Sequence, residues 1–236
     1  MLVKKWMREN VFTVDANATM QDAMELLKKH EIRMLPVMEE GNLVGVVTDR
    51  DLKKASIPDI VTFEVHKLLD LISEIKVKDL MTKDPITVPL DYTVEETAEV
   101  LLKNKISGVP VVNHEGKVVG IITQSDLFSV LMSVTGMGRR GLQYAIMQKR
   151  GIQFAFQVED RPGCIKELES ILRKYGGRVR SIMSTYADTP EGYRKVYIRM
   201  YGINREKLPQ LKDELREKAE LIYMVDHRKN IRETYQ

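Results

Sequence analysis

Hydrophobic and polar positions change their spacing in a regular order over the first 55 residues. Short apolar segments at residues 12–14, 35–38 and 43–47 are typical of strands. Between the first two, Ala23, Met24 and Leu27 lie three and four positions apart, which favours a helix with one buried stripe. Thr19 has an acid, Asp22, three residues later, which is the capping-box spacing at a helix start. With a further helix from about residue 49, the predicted order is β-α-β-β-α.

The same pattern returns 74 residues later. At this offset Thr13, Thr19, Pro36 and Val37 return as Thr87, Thr93, Pro110 and Val111. One inserted residue then shifts the offset to 75, and Gly45, Thr48 and Asp51 return as Gly120, Thr123 and Asp126. A match that stays in register through strands, helices and turns indicates an internal duplication.

Each repeat is too small to form a stable domain alone. About three short strands bury little apolar surface, whereas two copies can pack their sheets against each other. We therefore predict an α+β fold in which residues 1–58 and 76–133 form two packed repeats. The segment 59–75 is predicted to be a helical connector, because Val65, Leu68, Leu69 and Ile72 have helical spacing after an interruption near Pro58.

The pattern changes again beyond residue 133. Residues 134–150 include a glycine-rich, basic stretch, which predicts a hinge. From residue 151 the apolar spacing alternates first as a strand, with Ile152, Phe154 and Phe156 on one face. The elements that follow predict a β-α-β-β-α-β domain over residues 151–229, the ferredoxin-like order, and a tail at 230–236.

Composition and charge exclude several classes of protein. The 236 residues carry 37 basic and 34 acidic side chains, so the net charge of +3 gives no electrostatic reason to expect a nucleic-acid or membrane partner. No apolar run approaches the roughly 20 residues of a membrane span, and the first residues lack the apolar core of a signal peptide. The single cysteine, Cys164, excludes an internal disulfide and does not combine with the four histidines at metal-ligand spacing. We expect a cytoplasmic protein without a metal site.

The repeated sequence Gly-x-x-Thr-x-x-Asp carries the candidate chemistry. It places the end of a buried strand at a helix start, at Gly45, Thr48 and Asp51 and again at Gly120, Thr123 and Asp126. A helix N-terminus presents N–H groups suited to phosphate, and a carboxylate accepts hydrogen bonds from a vicinal diol such as ribose. The glycine would let a flat group approach the backbone. The alternative is that Thr-x-x-Asp is only a capping box and the glycine only marks a bulge.

These motifs, with the segments 32–37 and 106–111, resemble a CBS-domain pair (a Bateman module) over roughly residues 1–133. The resemblance implies a pseudo-twofold pair with two clefts that hold AMP, ADP, ATP or a related adenosyl ligand as a regulatory ligand. It places Asp51 and Asp126 on ribose hydroxyls and Thr48 and Thr123 near ribose or phosphate. The implied base pockets are bordered by Thr13, Arg33, Met34 and Pro36, and by Thr87, Ser107, Gly108 and Pro110. Arg50, replaced by Ser125 in the second repeat, is either a phosphate contact or a solvated arginine.

The C-terminal domain is similar to an ACT domain. Its Asp160-Arg161-Pro162-Gly163 turn follows the first strand and precedes a helix, and the resemblance implies an amino-acid or other small-metabolite site at this turn and Ser181. The helix N-terminus would suit a carboxylate. The same turn has purely structural uses, and self-association through this domain is the other reading. Cys164 is expected to be a small apolar filler.

The whole arrangement resembles the AcuB-type acetoin-utilisation family. No Gly-x-Ser-x-Gly, Walker A or His-Glu-x-x-His pattern occurs, which favours a non-catalytic sensor over an enzyme. We expect adenine nucleotide to bind the CBS pair and to act through the ACT-like domain on a protein partner. The alternative is a metabolite sensor that acts through the ACT-like domain, with a CBS pair that is mainly structural. By resemblance to both families the protein is expected to be a homodimer.

Overall fold

The computed structural model describes residues 1–55, 75–135 and 151–235. Within it the chain divides into two compact units, Met1–Phe128 and Ser129–Gln236, and each is described here by itself. The predicted connector, except for residue 75, and the predicted hinge beyond residue 135 lie outside the described residues. None of the helices within the described ranges has the length and apolar character needed to span a bilayer.

The first repeat has the predicted element order. It consists of β1 (Val14–Asp15), α1 (Met20–Lys29), β2 (Met34–Glu39), β3 (Asn42–Thr48) and α2 (Asp49–Ala55). β1 is parallel to β2, and β2 forms an antiparallel hairpin with β3. The hairpin reverses at Glu40 and Gly41, whose φ values of 49° and 83° give the left-handed turn that matches strand twist. Leu35, Val37 and Val47 are fully buried and form its core with α1.

The second repeat reproduces this arrangement. Its elements are β5 (Val88–Pro89), α4 (Val94–Asn104), β6 (Gly108–Val112), β7 (Val118–Thr123) and α5 (Gln124–Val134). Val88 pairs with Val111 as Val14 pairs with Val37 in the first repeat. The sheet order β5-β6-β7 therefore matches β1-β2-β3, and the predicted duplication is confirmed in three dimensions.

Both predicted capping boxes are present. Asp22 accepts a hydrogen bond from the Thr19 N–H at 2.9 Å, and the Asp22 N–H donates to the Thr19 hydroxyl at 3.1 Å. Thr93 and Glu96 repeat this at 2.7 and 3.1 Å. The pKa of the Asp22 carboxyl lies below its usual value, chiefly because the carboxylate accepts hydrogen bonds from the Thr19 hydroxyl and then from the Thr19 N–H. Each pair caps the start of its helix, and Thr19 and Thr93 also form single β-bridges with Lys76 and Leu2.

The two repeats exchange the segments that precede their first strands. Between the repeats, α3 (Val77–Leu80) and β4 (Thr82–Lys83) belong by sequence to the second copy, yet Thr82 pairs with Val46 on β3 of the first. Residues 1–8 lie against the second copy, where Arg8 and Ile121 exchange N–H···O hydrogen bonds of 2.9 and 3.0 Å. Each β-hairpin is thus completed by a segment that the sequence repeat assigns to the other copy.

This exchange explains the two glycines of the repeated motif. A Cβ atom at Gly45 would lie 2.5 Å from Sδ of Met81 and 2.9 Å from the backbone oxygen of Thr82. At Gly120 the corresponding atom would lie 2.5 Å from Sδ of Met7. The expectation that a ligand uses this space is wrong, because the exchanged segments fill it.

The second unit contains helices that pack on one antiparallel sheet. Its elements are β8 (Ile152–Glu159), α6 (Cys164–Lys174), β9 (Arg178–Thr185), β10 (Tyr193–Tyr201), α7 (Leu208–Arg216), β11 (Glu220–Asp226) and β12 (Ile231–Thr234). The strands follow the order β12-β11-β8-β10-β9, and each neighbouring pair is antiparallel. Phe154 and Phe156 of the central strand are fully buried against Leu168 and Leu172 of α6, as their alternation predicted.

The predicted tail at 230–236 is partly wrong, because residues 231–234 form β12. This strand pairs with β11 from Tyr223 to Asp226. Its sequence, Ile-Arg-Glu-Thr, offers little apolar surface, so local pattern gave no reason to predict a strand. Tyr235 follows it and packs against the core of the unit.

A buried ion pair lies beside β11. Asp226 is 2% exposed, and both of its carboxylate oxygens accept hydrogen bonds from the guanidinium of Arg205. The backbone N–H groups of Arg228 and Lys229 also donate to it. The buried carboxylate is tolerated here because both of its oxygens accept hydrogen bonds and its charge is paired with that of Arg205.

Candidate functional site

The same carboxylate geometry occurs at both strand-to-helix turns of the first unit. Oδ2 of Asp51 accepts hydrogen bonds from the Thr48 N–H at 3.0 Å and from the Thr48 hydroxyl at 2.6 Å. Oδ2 of Asp126 accepts the same pair from Thr123 at 3.0 and 2.6 Å. The capping interpretation therefore describes one oxygen of each carboxylate. What else each aspartate can bind therefore depends on its other oxygen, Oδ1.

The two Oδ1 atoms have different surroundings. Asp51 is half-buried, and no hydrogen bond or ion pair reaches its Oδ1 from the residues that the structure describes. Asp126 is only 6% exposed, and its Oδ1 lies 3.5 Å from Nε of Arg8. The sequence did not predict a contact between Arg8 and Asp126, because the two residues are 118 positions apart and belong to different copies of the repeat.

Backbone contacts bring the predicted base-pocket residues to these turns. The Asp49 N–H donates to the carbonyl of Arg33 at 3.1 Å, and the Gln124 N–H donates to the carbonyl of Ser107 at 2.9 Å. The side chains of Arg33 and Ser107 are exposed beside the helix starts. Both predicted residues thus lie next to the threonine–aspartate turn of their own repeat.

Met34 and Gly108 occupy equivalent positions and meet each other. Met34 pairs with Thr48, and Gly108 pairs with Thr123, in equivalent strand registers. Cε of Met34 lies 3.5 Å from the place that a Cβ of Gly108 would take. The two predicted base pockets therefore adjoin at the middle of the pair, with a long side chain on one side and none on the other.

The remaining predicted residues fall into three groups. Pro36 and Pro110 are buried within β2 and β6. Thr13 is exposed and Thr87 half-buried, each immediately before the first strand of its repeat. Arg50 is exposed on α2, and no hydrogen bond or ion pair from the described ranges reaches its guanidinium, which leaves both readings of this residue open.

A cavity of about 720 Å³ lies beside Thr87 in the second repeat. Ile86, Tyr92 and the C-terminal half of α4, including Asn104, complete its wall. In the first repeat the residues equivalent to Ile86 and Asn104 are Phe12 and His30, whose rings stack with centroids 3.6 Å apart. The aromatic pair fills the corresponding space, so the repeats differ on this face although their backbones match.

In the second unit a groove of about 820 Å³ opens at the predicted ACT-like turn. Asp160, Arg161, Pro162 and Gly163 all line it, together with the buried Cys164. Ser181 does not line it, and its hydroxyl instead donates to the carbonyl of Thr135 at 3.3 Å. Sequence reasoning missed Glu169, Arg173 and Arg194, which reach the groove from α6 and β10.

Paired charges dominate this groove. Arg161 donates two hydrogen bonds to Glu167, at 2.7 and 2.6 Å, and this contact raises the pKa of Arg161 and lowers the pKa of Glu167. Nε of Arg194 lies 2.8 Å from Asp160, and a hydrogen bond to the Tyr186 hydroxyl raises the pKa of Arg194. Each arginine is thus held in a defined position and keeps its charge.

No group of three or more histidine, cysteine, aspartate or glutamate side chains is arranged to hold a metal ion in residues 1–55, 75–135 and 151–235. Cys164 is buried among apolar neighbours of the second core, in keeping with its expected role as filler. The candidate chemistry of the described residues therefore rests on the two aspartate turns and the C-terminal groove.

Comparison with known proteins assigns the first half of the chain. The profile of the CBS domain matches residues 3–58 and 77–133, which are the two repeats. A CBS domain-containing protein of Dictyostelium discoideum is 32% identical over 134 residues, 56% of this chain and 92% of that protein. The chloroplast protein CBSX1 of Arabidopsis thaliana is 32% identical over 56% of this chain and 64% of its own length.

One curated relative is a much larger enzyme. The inosine-5'-monophosphate dehydrogenase of Korarchaeum cryptofilum is 37% identical over 119 residues, which cover 50% of this chain but only 22% of the enzyme. Among solved structures, CBSX2 of Arabidopsis thaliana in complex with AMP is 31% identical, with a TM-score of 0.48 over 57% of this chain and 98% of that chain. A Vibrio cholerae protein provisionally assigned to acetoin utilisation is 27% identical, with a TM-score of 0.48 over 57% and 93%.

Proposed function

Because the chain belongs to the CBS-domain family, we propose that it is a non-catalytic regulatory protein whose CBS pair binds an adenine nucleotide or related adenosyl ligand. We call the two ligand sites of this proposal the Asp51 cleft, around Thr48 and Asp51, and the Asp126 cleft, around Thr123 and Asp126. In the proposal the ligand acts through the C-terminal unit on a protein partner in the cytoplasm, and the protein works as a homodimer.

The observation that carries the proposal is the repeated orientation of the two carboxylates. In each turn a threonine fixes Oδ2 with two hydrogen bonds, and their lengths of 3.0 and 2.6 Å are the same in both turns. A carboxylate held in this way needs no rearrangement to accept hydrogen bonds from a ribose diol on Oδ1. The exposed start of the following helix lies beside it and favours phosphate. The caps at Thr19 and Thr93 repeat the same threonine–carboxylate bonds at exposed positions, whereas the carboxylates of Asp51 and Asp126 are half-buried and buried beside the predicted base-pocket residues.

Regulation adds one further condition. A ligand shifts a conformational equilibrium only when it binds one arrangement of the protein more tightly than the other. In the proposal, binding changes the packing of the exchanged segments, because these segments contact the strands that end at each aspartate turn. The partner that responds, and a role in acetoin utilisation, stay predictions from resemblance.

Thermal unfolding of the full chain with AMP and with ATP tests the binding proposal. We expect either nucleotide to raise the melting temperature of the wild type, because a ligand that binds only the folded state stabilises it. The double variant Asp51→Asn, Asp126→Asn should lose this rise. Asparagine keeps an acceptor for the threonine N–H but removes the charge that a diol prefers.

The matched control is Asp22→Asn, which weakens an equivalent capping box away from both clefts. This variant should melt lower than the wild type without ligand and still show the full nucleotide-dependent rise. If neither AMP, ATP nor an adenosyl compound shifts the wild type, the proposed function is wrong. An equal rise in the wild type and the double variant would place the ligand elsewhere.

A second candidate function is a small-metabolite sensor that acts through the C-terminal unit. Its support is the groove at the Asp160–Gly163 turn, where Arg194 keeps its charge beside the start of α6. The strand order β11-β8-β10-β9 within the sheet agrees with the proposed ACT-like assignment. An amino-acid carboxylate would find both a guanidinium and a helix start there.

A panel of amino acids added to the full chain tests this candidate by melting temperature. Arg194→Gln should abolish any shift, whereas Arg216→Gln should leave it, because Arg216 lies over the Tyr235 ring outside the groove. The double variant of the aspartate turns should keep the shift. A panel in which no amino acid changes the melting of the wild type would reject this candidate and leave the nucleotide proposal standing.

A further inference from the structure

Arg8 and Thr82 occupy equivalent positions in the duplicated fold. They are separated by the 74-residue offset of the repeat, and each pairs with the strand that runs toward an aspartate turn. Arg8 lies opposite Ile121 in the second repeat, and Thr82 lies opposite Val46 in the first. The duplication therefore places an arginine beside Asp126, and at the equivalent position of the first repeat it places a threonine, which carries no charge.

We infer that Arg8 makes the two clefts unequal, so that a ribose-bearing ligand fills the Asp51 cleft before the Asp126 cleft. The inference rests on the proposed function, since it concerns the order in which the same two sites are occupied. It assigns Arg8 as a specificity-determining residue that competes with the ligand for one carboxylate.

The competition follows from the acceptor positions on Asp126. Two donors of Thr123 already use Oδ2, at 3.0 and 2.6 Å, and Nε of Arg8 lies 3.5 Å from Oδ1. A diol that donates to Oδ1 must share this oxygen with the guanidinium or displace it. At Asp51 no donor from the described residues lies on Oδ1, so the diol meets no competitor among them.

The cost of displacement is small enough to be reversible. The Arg8 side chain is 46% exposed, so the guanidinium can return to water when the ligand arrives. Ion pairs with one solvated partner are weak, which sets the expected difference between the clefts at about two- to fivefold in affinity. Arg8 therefore ranks the clefts without closing either of them.

Calorimetric titration of the full chain with adenosine tests this inference. Adenosine carries the base and the ribose diol but no phosphate, so attraction between Arg8 and phosphate does not enter the measurement. Asp51→Asn leaves only the Asp126 cleft, and Asp126→Asn leaves only the Asp51 cleft. We expect adenosine to bind the Asp51→Asn variant about two- to fivefold more weakly than the Asp126→Asn variant.

Exchanging the two equivalent residues should exchange the affinities. Arg8→Thr in the Asp51→Asn background should tighten binding by most of this factor, and Thr82→Arg in the Asp126→Asn background should weaken it by a similar factor. Lys4→Thr removes one positive charge from the same exposed segment and should change neither titration. About 1 M salt should reduce the difference, because it screens the ion pair.

The outcomes separate this inference from the proposed function. If adenosine binds but Arg8→Thr leaves the Asp126 cleft unchanged or weakens it, Arg8 is not a competitor and the inference is wrong, while the proposed function stands. If neither the wild type nor any variant binds adenosine, AMP, ATP or another adenosyl compound, both are wrong. The melting temperature of each ligand-free variant shows whether it is folded, and Thr82→Arg supplies an independent answer if Arg8→Thr is not.

Discussion

Arg205 holds Asp226 with two hydrogen bonds, from Nε to one carboxylate oxygen at 2.6 Å and from Nη2 to the other at 2.9 Å. The two residues are 21 positions apart and join the turn before α7 to the end of β11. The fork of the guanidinium matches the carboxylate, which a lysine ammonium would not. This pair fixes the connection between the helix layer and β11 in the second unit.

Arg205→Met should therefore destabilise the protein strongly. The substitution leaves the carboxylate of Asp226 buried without its partner, which we expect to lower the free energy of unfolding by about 3 kcal/mol. Urea unfolding followed by circular dichroism measures this change. Lys53→Met, at the exposed Lys53–Asp49 pair, is the control and should cost less than about 0.5 kcal/mol. Equal effects of the two substitutions would show that the Arg205 pair is no stronger than a surface pair.

The same pair predicts that the free energy of unfolding depends on pH. Burial raises the pKa of the Asp226 carboxyl, but hydrogen bonds from Arg205, Arg228 and Lys229 outweigh it and hold this pKa below its usual value. The unfolded chain, with an aspartate pKa of about 3.9, therefore binds the proton more readily. The stability that the pair contributes is fully present above about pH 4 and is lost as the pH falls through the lower pKa of the folded state.

The stability difference between the wild type and Arg205→Met should accordingly be largest near pH 7 and shrink as the pH falls, because protonation of Asp226 in either folded form removes the charge on which the contact with Arg205 depends. Urea titrations at several pH values measure it. A difference that is the same at pH 3 and pH 7 would mean that Asp226 does not lose a charge-dependent contact.

The two motif glycines should tolerate alanine unequally. At Gly45 a Cβ would meet the Thr82 backbone oxygen at 2.9 Å, whereas at Gly120 the equivalent Arg8 oxygen lies 3.2 Å away. We expect Gly45→Ala to cost about 1–3 kcal/mol of unfolding free energy and Gly120→Ala to cost less. Thermal unfolding of both variants measures the order.

A second substitution distinguishes the steric contribution of the methionine side chain from that of the backbone oxygen. Met7→Ala should partly rescue Gly120→Ala, because the flexible thioether is its main obstacle. Met81→Ala should not rescue Gly45→Ala, because the carbonyl remains. Full rescue in both repeats would show that only the methionines require glycine.

Removing residues 230–236 should expose the edge of β11. β12 pairs with Tyr223, Met224, Val225 and Asp226, and the Tyr235 N–H donates to the carbonyl of Ile222 at 2.8 Å. Without these bonds, backbone amides in this part of β11 should exchange with deuterium at least about tenfold faster. Tyr235→Phe keeps the ring and the strand and is the control. Unchanged exchange in the truncated chain would mean that β12 does not protect β11.

The sequence was most informative where structure depends on neighbouring residues. Thr19 with Asp22 and Thr93 with Glu96 form their predicted caps, because a capping box involves only four consecutive positions. The alternation of Ile152, Phe154 and Phe156 predicted a buried strand face for the same reason. Repetition added confidence at the aspartate turns, where two copies of one pattern gave two copies of one geometry.

Contacts between distant segments could not be predicted in this way. Arg8 meets Asp126 only because β7 accepts the segment that precedes β1, and no local pattern specifies that exchange. Arg194 reaches the C-terminal groove from β10, a strand whose alternation predicts a face but not a neighbour. β12 lacks the apolar alternation by which a strand is predicted from sequence. It is a strand because it pairs with β11.

The exchanged segments make the two repeats mutually dependent parts of one folding unit. A fragment that ends at residue 55 would keep a segment built to pair with β7, and it would lack Thr82 and Lys83, which pair with its own β3. A fragment that begins at residue 75 would have the reverse defect. Each half therefore carries the segment that the other half lacks, so the two fragments should regain structure by complementation when they are mixed. By the same geometry, a single ancestral copy would have needed to exchange its N-terminal segment with a second molecule, as in a domain-swapped dimer.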